Sequence, residues 1–531
     1  MPITRRGATG PLPVPLPGQM PAVAAPHVAV IAALGLWTLI LRLPFFFPDT
    51  IDWDESTLII MGQGILDGFL PYDRIWDAKP PLAYVAFAGA IELLGRSVAA
   101  IRFVGYLGVV LTSYLVYRAC VLIAPDRLSA LIAALVAAAM MSVLAPALMT
   151  ELICVPLLAA ALLLLCRSDI SLARTFIVGL LIGIAVMIRM NLAVLGLAVG
   201  LFVVARPPRV PLTRPVARGF AYAAGALLVV LLTVMPYLVS GRLPLWFDTV
   251  IRASLAFSSQ HRSGDNLAKL VQNGFGLRAD GATRYQVLVL GMLLWLGGLT
   301  GLLCCAGRWR ALAAPQRDAV AASAVLLIGA TLAVVMTGPP YGHYLVQMVP
   351  WFAIFLGCAL ASVRRATPRR VLAAGIGLAL IVTAVLQTRA SYAALLTRIA
   401  QGKSLAYGPA YEIADHVRRA GAGARSLYLM SDHLAYWLLG AYPPTRMSTH
   451  PSVLTKPEII AAVEGADATP DTELRKILAT RPAFIVKPPV VDYLAGWPGL
   501  VRMLDEALAR DYVLETSIAG RQVYRRKPDA G

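Results

Sequence analysis

Charge is what this sequence has little of. Only 14% of its 531 residues are Asp, Glu, Lys or Arg, and 58% are hydrophobic. Soluble domains carry roughly 25% charged residues, so a soluble globular chain is excluded. Repeated apolar runs of about 20 residues instead make it a polytopic α-helical membrane protein. Cysteine is scarce too. Cys120, Cys154, Cys166, Cys304, Cys305 and Cys358 lie in or at the ends of apolar runs, and the polar C-terminal part has none. With no zinc-ligand spacing among them, neither a disulfide framework nor a zinc site follows. The chain has no P-loop, no H-E-x-x-H and no serine elbow. "GQGILDG" (62–68) is no dinucleotide fingerprint, because no strand precedes it and the spacing is wrong. No A-x-A-like site follows the first apolar run, which therefore reads as a retained span and not a cleaved signal.

Acid is scarcer than base, and the net charge is +18. The basic residues form short clusters between apolar runs. That pattern sets orientation in a membrane and does not argue for nucleic acid. Segments of spanning length fall near 28–48, 98–118, 128–148, 151–167, 174–189, 191–205, 219–239, 286–306, 319–337, 344–362 and 370–388. Residues 81–95 are short for a span. If they lie in the interface or re-enter, the arginine clusters at 118–127, 167–174, 206–218, 308–317 and 364–370 all face the cytoplasm. The positive-inside rule thus favours about eleven spans.

With that parity, an N-terminal tail (1–27) is cytoplasmic. The membrane domain is 28–388. Its loops 49–97 and 240–285, and a tail from 389 to 531, lie outside. The tail reads as an α/β domain. It has strands at 426–430 and 483–487, helices at 470–480 and 501–511, a hairpin over 512–526 turning near Gly520, and a linker around 402–409. Gly179 and Gly183 sit four apart, as in helix packing.

The outer face also gathers ionisable groups. Asp52, Asp54 and Glu55 follow directly on the first span, and Glu151 lies between two apolar runs. An acid there is costly unless paired or functional. Lys79 precedes Pro80-Pro81, which stiffen its backbone. Arg189 interrupts "AVMIRMNLAV" at the same level. Candidate bases and anion-holding cations therefore share one face.

The ordered set resembles the GT-C membrane glycosyltransferases of the protein O-mannosyltransferase and lipid A aminoarabinose transferase type. It consists of "DWDE" after the first span, G-x-L-x-G-x-x-P-Y at 64–72, "DAKPPL" at 77–82, "LLGRSVAAIR" at 93–102, an acid after the third span, "GHYLVQMVP" at 342–350 and a C-terminal outer domain. The third-span acid is often Asp in such proteins and is Glu151 here. The resemblance is strongest over 28–160.

The resemblance implies a GT-C fold of about 11–13 spans and a polyprenyl-phosphate sugar donor. The acceptor would be a lipid, glycan or protein hydroxyl at the periplasmic face of a bacterial inner membrane, and transfer would go with inversion. Asp54 would be the general base, with Glu55 and Glu151 as further catalytic acids. Lys79 would hold the donor phosphate, with Arg189, Arg262 and Arg252 as weaker candidates. Tyr72, His343 and Tyr344 would contact substrate. The resemblance names no certain cofactor, and Asp54 and Glu151 offer a place for a divalent cation.

Each candidate also has a plainer reading. Glu55 caps a helix, Glu151 pairs with Arg189, Lys79 snorkels to headgroups, and His343 with Tyr341 and Tyr344 belongs to an aromatic belt. Two other classes fit many spans and a lipid-linked glycan, namely a transporter or flippase and an O-antigen-type polymerase or ligase. A transporter would place its charges near the midplane, often in duplicated halves. Here the charges lie at one interface and no internal repeat is evident.

Overall fold

The structure, a computed structural model, describes residues 24–167, 171–205, 213–260, 265–279, 281–337, 341–421 and 427–528. Every apolar segment expected to span coincides with a helix or a run of helices. Seven described helices are long and apolar enough to cross a membrane, among them Val98–Ile123, Pro215–Val239 and Ala314–Met336. Thr150–Leu165, Leu172–Ile188, Met190–Ala205 and Val349–Ser362 are apolar but shorter. Leucines such as Leu228, Leu231 and Leu232 stand exposed on the outside of the bundle, the pattern expected where the surrounding solvent is lipid. The chain is a multi-pass membrane protein.

Residues 81–95 form the helix Pro81–Leu94. It packs chiefly on the Trp53–Leu66 helix. The helix that follows, Val98–Ile123, opens on Ser97, whose hydroxyl accepts from the Ala100 amide at 3.1 Å. One turn in, Arg102 bonds the carbonyls of Phe45 and Pro48, just beyond the first helix. The chain therefore returns to the end of the bundle that it left.

Close helix approach is visible where the sequence has glycine. A Cβ on Gly179 would lie 2.0 Å from the Tyr222 carbonyl oxygen, and one on Gly183 would lie 2.9 Å from Ala226 Cα. The Leu172–Ile188 and Thr213–Val239 helices thus meet backbone to backbone.

The last long helix, Ala366–Ala400, runs on past position 388. Beyond it, β1 (Leu427–Leu429), β2 (Phe484–Lys487), β3 (Tyr512–Ile518) and β4 (Arg521–Arg526) form a sheet in the order β1-β2-β4-β3. β1 and β2 are parallel, and the β3–β4 hairpin turns at Ala519-Gly520 and adds antiparallel. The helices Pro470–Ala479 and Pro498–Asp511 cover one face. The expected strands, helices and hairpin are all present; Ser426 lies outside the described residues.

This C-terminal domain is keyed into the membrane domain. The Asp49 amide donates to Tyr407 O at 2.8 Å, and Asp49 Oδ2 accepts from the Ala410 amide at 2.6 Å. The backbone amide of Trp76 donates to Arg446 O (3.0 Å) and Thr449 Oγ1 (3.2 Å), and its indole donates to Thr249 Oγ1 (3.1 Å). Trp437 Nε1 donates to Gln63 Oε1 at 3.1 Å. One buried tryptophan thus joins loop 70–80, the segment after residue 240 and the C-terminal domain.

Candidate active site

Asp52 N-caps the helix Trp53–Leu66, its carboxylate accepting from the Asp54 amide at 2.8 Å. Asp54 and Glu55 therefore occupy the first turn. Successive helical residues point about 100° apart, and the two acids part company. Glu55 turns into the protein. It is buried against Arg102, which binds it through Nε and Nη2, and it accepts from the Leu148 amide at 2.7 Å. Glu55 is thus the counter-ion of Arg102 and does not line the cavity beside Asp54. Arg102, from "LLGRSVAAIR", is the organiser of the loop that presents the site.

Asp54 faces a cavity of about 790 Å³. Its Oδ2 lies 3.2 Å from Lys79 Nζ, and its Oδ1 lies 3.2 Å from His450 Nε2. Lys79 also reaches Asp77 at 3.2 Å. The backbone of Lys79 is pinned from both sides. Tyr72 and Tyr84 hydroxyls donate to its carbonyl at 2.6 and 2.7 Å, and its amide donates to Tyr84 Oη at 3.1 Å. Tyr72 holds φ +73, an uncommon conformation for a bulky residue. It is wholly buried between Tyr84 and Tyr237. Expected as a substrate contact, it instead shapes the lysine loop and does not line the cavity.

The electrostatics follow from these contacts. Burial by itself would raise the Asp54 carboxyl, but Lys79, His450 and His343 hold it well below the usual carboxylate range. Burial would lower the Lys79 ammonium, yet Asp54 and Asp77 raise it above the ordinary lysine value. Asp52 goes the other way, raised by burial and by the neighbouring Asp54 charge. His450 comes from the C-terminal domain and was not singled out in the sequence. Its Nδ1 accepts from the Ser452 amide at 3.2 Å, so Nε2 carries the proton and donates to Asp54.

The remaining candidates divide. Arg189 lines the cavity, but its Nη1 pairs with Glu151 at 2.9 Å and donates to Thr150 Oγ1 at 2.9 Å. Glu151 is completely buried behind it and does not line the cavity. His343 and Tyr344 do line it. His343 sits between Asp52 and Glu151, 3.9 Å from each, and the Arg189 guanidinium lies 4.2 Å from the Tyr344 ring centre. Arg252 turns away to the surface on Asp248, at 2.8 Å, and lines no part of the cavity. Arg262 lies outside the described residues. A divalent cation on Asp54 and Glu151 does not fit, since each carboxylate is already matched by a cation. Among the described residues no cluster of His, Cys, Asp and Glu has metal-binding geometry.

The cavity is amphiphilic. Its polar end holds Asp52, Asp54, Asp77, Lys79 and His450. Elsewhere Ala193, Val194, Val250, Ile251, Leu255 and Met336 line it with hydrocarbon. Loop 240–285 supplies part of that wall through a π-helical turn, Asp248–Ala253.

Such a cavity, at one end of a helical bundle and beneath a small α/β domain, defines a class. The crystal structure of ArnT from Cupriavidus metallidurans bound to undecaprenyl phosphate matches with TM-score 0.61 at 18% identity, over 96% of this chain and 99% of that one. Its apo state matches with TM-score 0.60 at 17% identity, over 95% and 98%. The oligosaccharyltransferase AglB from Archaeoglobus fulgidus, in complex with an inhibitory peptide and a dolichol-phosphate, gives TM-score 0.48 at 13% identity, over 94% and 74%. By the two ArnT matches the chain has the GT-C glycosyltransferase fold that the sequence resembles. Residues 78–239 match the family described as dolichyl-phosphate-mannose-protein mannosyltransferase. No curated protein matches it.

Proposed function

We propose that this protein transfers a sugar from a polyprenyl-phosphate carrier to an acceptor hydroxyl, with inversion, at the periplasmic face of a bacterial inner membrane. The observation that carries the reading is the ion pair of Asp54 and Lys79 at the polar end of a cavity whose other walls are apolar. The lipid tail suits those walls and the sugar phosphate suits the charged end. The Asp54 carboxylate takes the proton of the acceptor hydroxyl as its oxygen attacks the anomeric carbon. The bond from that carbon to the phosphate oxygen breaks, and the lipid phosphate leaves as an anion. Lys79 gains a phosphate partner as that charge develops. A general acid is not needed for such a leaving group.

A transporter would need its charged groups near mid-membrane. Here they converge where helix ends meet the C-terminal domain, which favours the enzyme. The match of ArnT, crystallised with undecaprenyl phosphate, supports the donor class.

The test is Asp54→Asn. It keeps the size and the hydrogen-bonding reach of the side chain and removes the proton acceptor. Transfer of sugar from purified undecaprenyl-phosphate sugars to envelope acceptors should fall by about 10²–10⁴-fold, with unfolding temperature retained. Full activity in Asp54→Asn would remove the base from the scheme.

A further inference from the structure

Cations inside the cavity are mostly spoken for. Lys79 is shared by two acids, Asp54 and Asp77, and Arg189 is matched by Glu151. Lys456 is different. It lies just after the Pro451–Thr455 turn that follows His450, caps the Pro457–Glu464 helix and lines the same cavity. Among the described residues it has no carboxylate in ion-pair contact. Its ammonium instead stands 5.4 Å from the centre of the Phe257 ring, a weak compensation for lost water. Asp54 and Asp77 act on it only from a distance, and burial lowers its basicity.

A half-buried ammonium with no carboxylate in ion-pair contact is a cost to the empty fold. A ligand that brings negative charge recovers that cost on binding. Lys79 cannot supply the same gain, because its charge is already offset twice.

We infer that Lys456, from the C-terminal domain, is an anion-holding residue for the phosphate of the lipid-linked donor. The inference rests on the donor class proposed above. The domain would then contribute to holding the donor as well as to orienting Asp54 through His450.

The experiment measures binding of undecaprenyl phosphate to the purified full chain in detergent, by quenching of intrinsic tryptophan fluorescence. Lys456→Gln and Lys456→Arg are compared with the parent, with undecaprenol as the uncharged control and inorganic phosphate as the free ion. Lys456→Gln should weaken undecaprenyl phosphate binding by about tenfold or more, the scale of one charge-assisted hydrogen bond. Lys456→Arg should retain most of it, and undecaprenol should bind the parent and Lys456→Gln equally. The unfolding temperature of empty Lys456→Gln should hold or rise, since an uncompensated charge has gone.

Unchanged undecaprenyl phosphate affinity in Lys456→Gln overturns the inference. So does an equal loss for undecaprenol, or a lowered unfolding temperature, either of which marks a packing role. Saturation of the Lys456-dependent site by inorganic phosphate at the same concentration would make it a free-ion site and overturn the lipid assignment. If the parent itself fails to distinguish undecaprenyl phosphate from undecaprenol, the donor class fails first, and this inference with it.

Discussion

Asp54 is held by two donors, and that hold has a chemical consequence. Lys79 and His450, with His343 farther off, outweigh burial and keep the carboxyl well below its ordinary range. Such a carboxylate is ionised at neutral pH but weakly basic, and general-base catalysis is best when the pKa lies near the working pH. In the proposed mechanism donor phosphate competes for the Lys79 ammonium. Once Lys79 turns to the phosphate, the charge that lowered Asp54 is partly withdrawn, while burial and the neighbouring Asp52 remain. The Asp54 carboxyl then rises. Because kcat/KM reports the free enzyme and kcat the complex, the acid limb of kcat should lie at higher pH than that of kcat/KM. Initial rates over a pH series at limiting and saturating donor would check this. Coincident limbs would mean that the phosphate leaves the Asp54–Lys79 pair intact.

The same residue scale shows what the sequence made legible. An acid pair directly after a span and a lysine locked by two prolines stand out against so apolar a background, and Asp54 and Lys79 do meet. Glu55 could have been separated from Asp54 by helix geometry alone, since adjacent residues cannot share a face. His450 and Lys456 could not be foreseen. Each is an ordinary residue in a polar stretch, and each acquires meaning only from what the fold sets beside it, Asp54 for His450 and the cavity with Phe257 for Lys456.

At the scale of elements, glycine spacing does the work that large side chains do in soluble cores. Gly179 and Gly183 bring Leu172–Ile188 onto Thr213–Val239, and Gly225 answers from the other helix, where a Cβ would fall 2.2 Å from Phe176 O. Gly179→Val should force the pair apart and destabilise by about 1–3 kcal/mol, the usual scale of overpacking. Gly375→Ala, inside the Ala366–Ala400 helix with nothing within 4 Å of the added carbon, should hold stability or raise it by up to about 1 kcal/mol. Thermal unfolding of both variants in detergent measures the difference. Spans were legible because length and hydropathy suffice to define them. Loop 240–285 was not. The π-helical turn Asp248–Ala253 and the Ser254–Gln260 helix are too short to carry a period, so the contribution of Val250, Ile251 and Leu255 to the cavity wall had no signature.

For the whole molecule, orientation ties the site to its substrates. Arginine clusters at 308–317 and 364–370 lie at the end of the bundle opposite Asp54, where Arg369 pairs with Asp126 at 2.6 Å. By the positive-inside rule that end is the proposed cytoplasmic one. A cysteine at Asp467, exposed on the C-terminal domain, should react with an impermeant maleimide in intact spheroplasts. A cysteine at Arg310 should react only after permeabilisation. The opposite pattern would invert the molecule and put the cavity on the wrong side for a donor presented outside.

The distance in chain order between Lys79 and His450 also bears on biogenesis. Residue 79 leaves the ribosome well before residue 450, by roughly tens of seconds at synthesis rates of about 5–20 residues per second. Throughout that interval the nascent chain carries an acid and a lysine but neither Asp54's histidine partner nor the seat built around Trp76. The surroundings of that ion pair are therefore complete only once the C-terminal domain has been made and has docked on the bundle through Trp76 and His450.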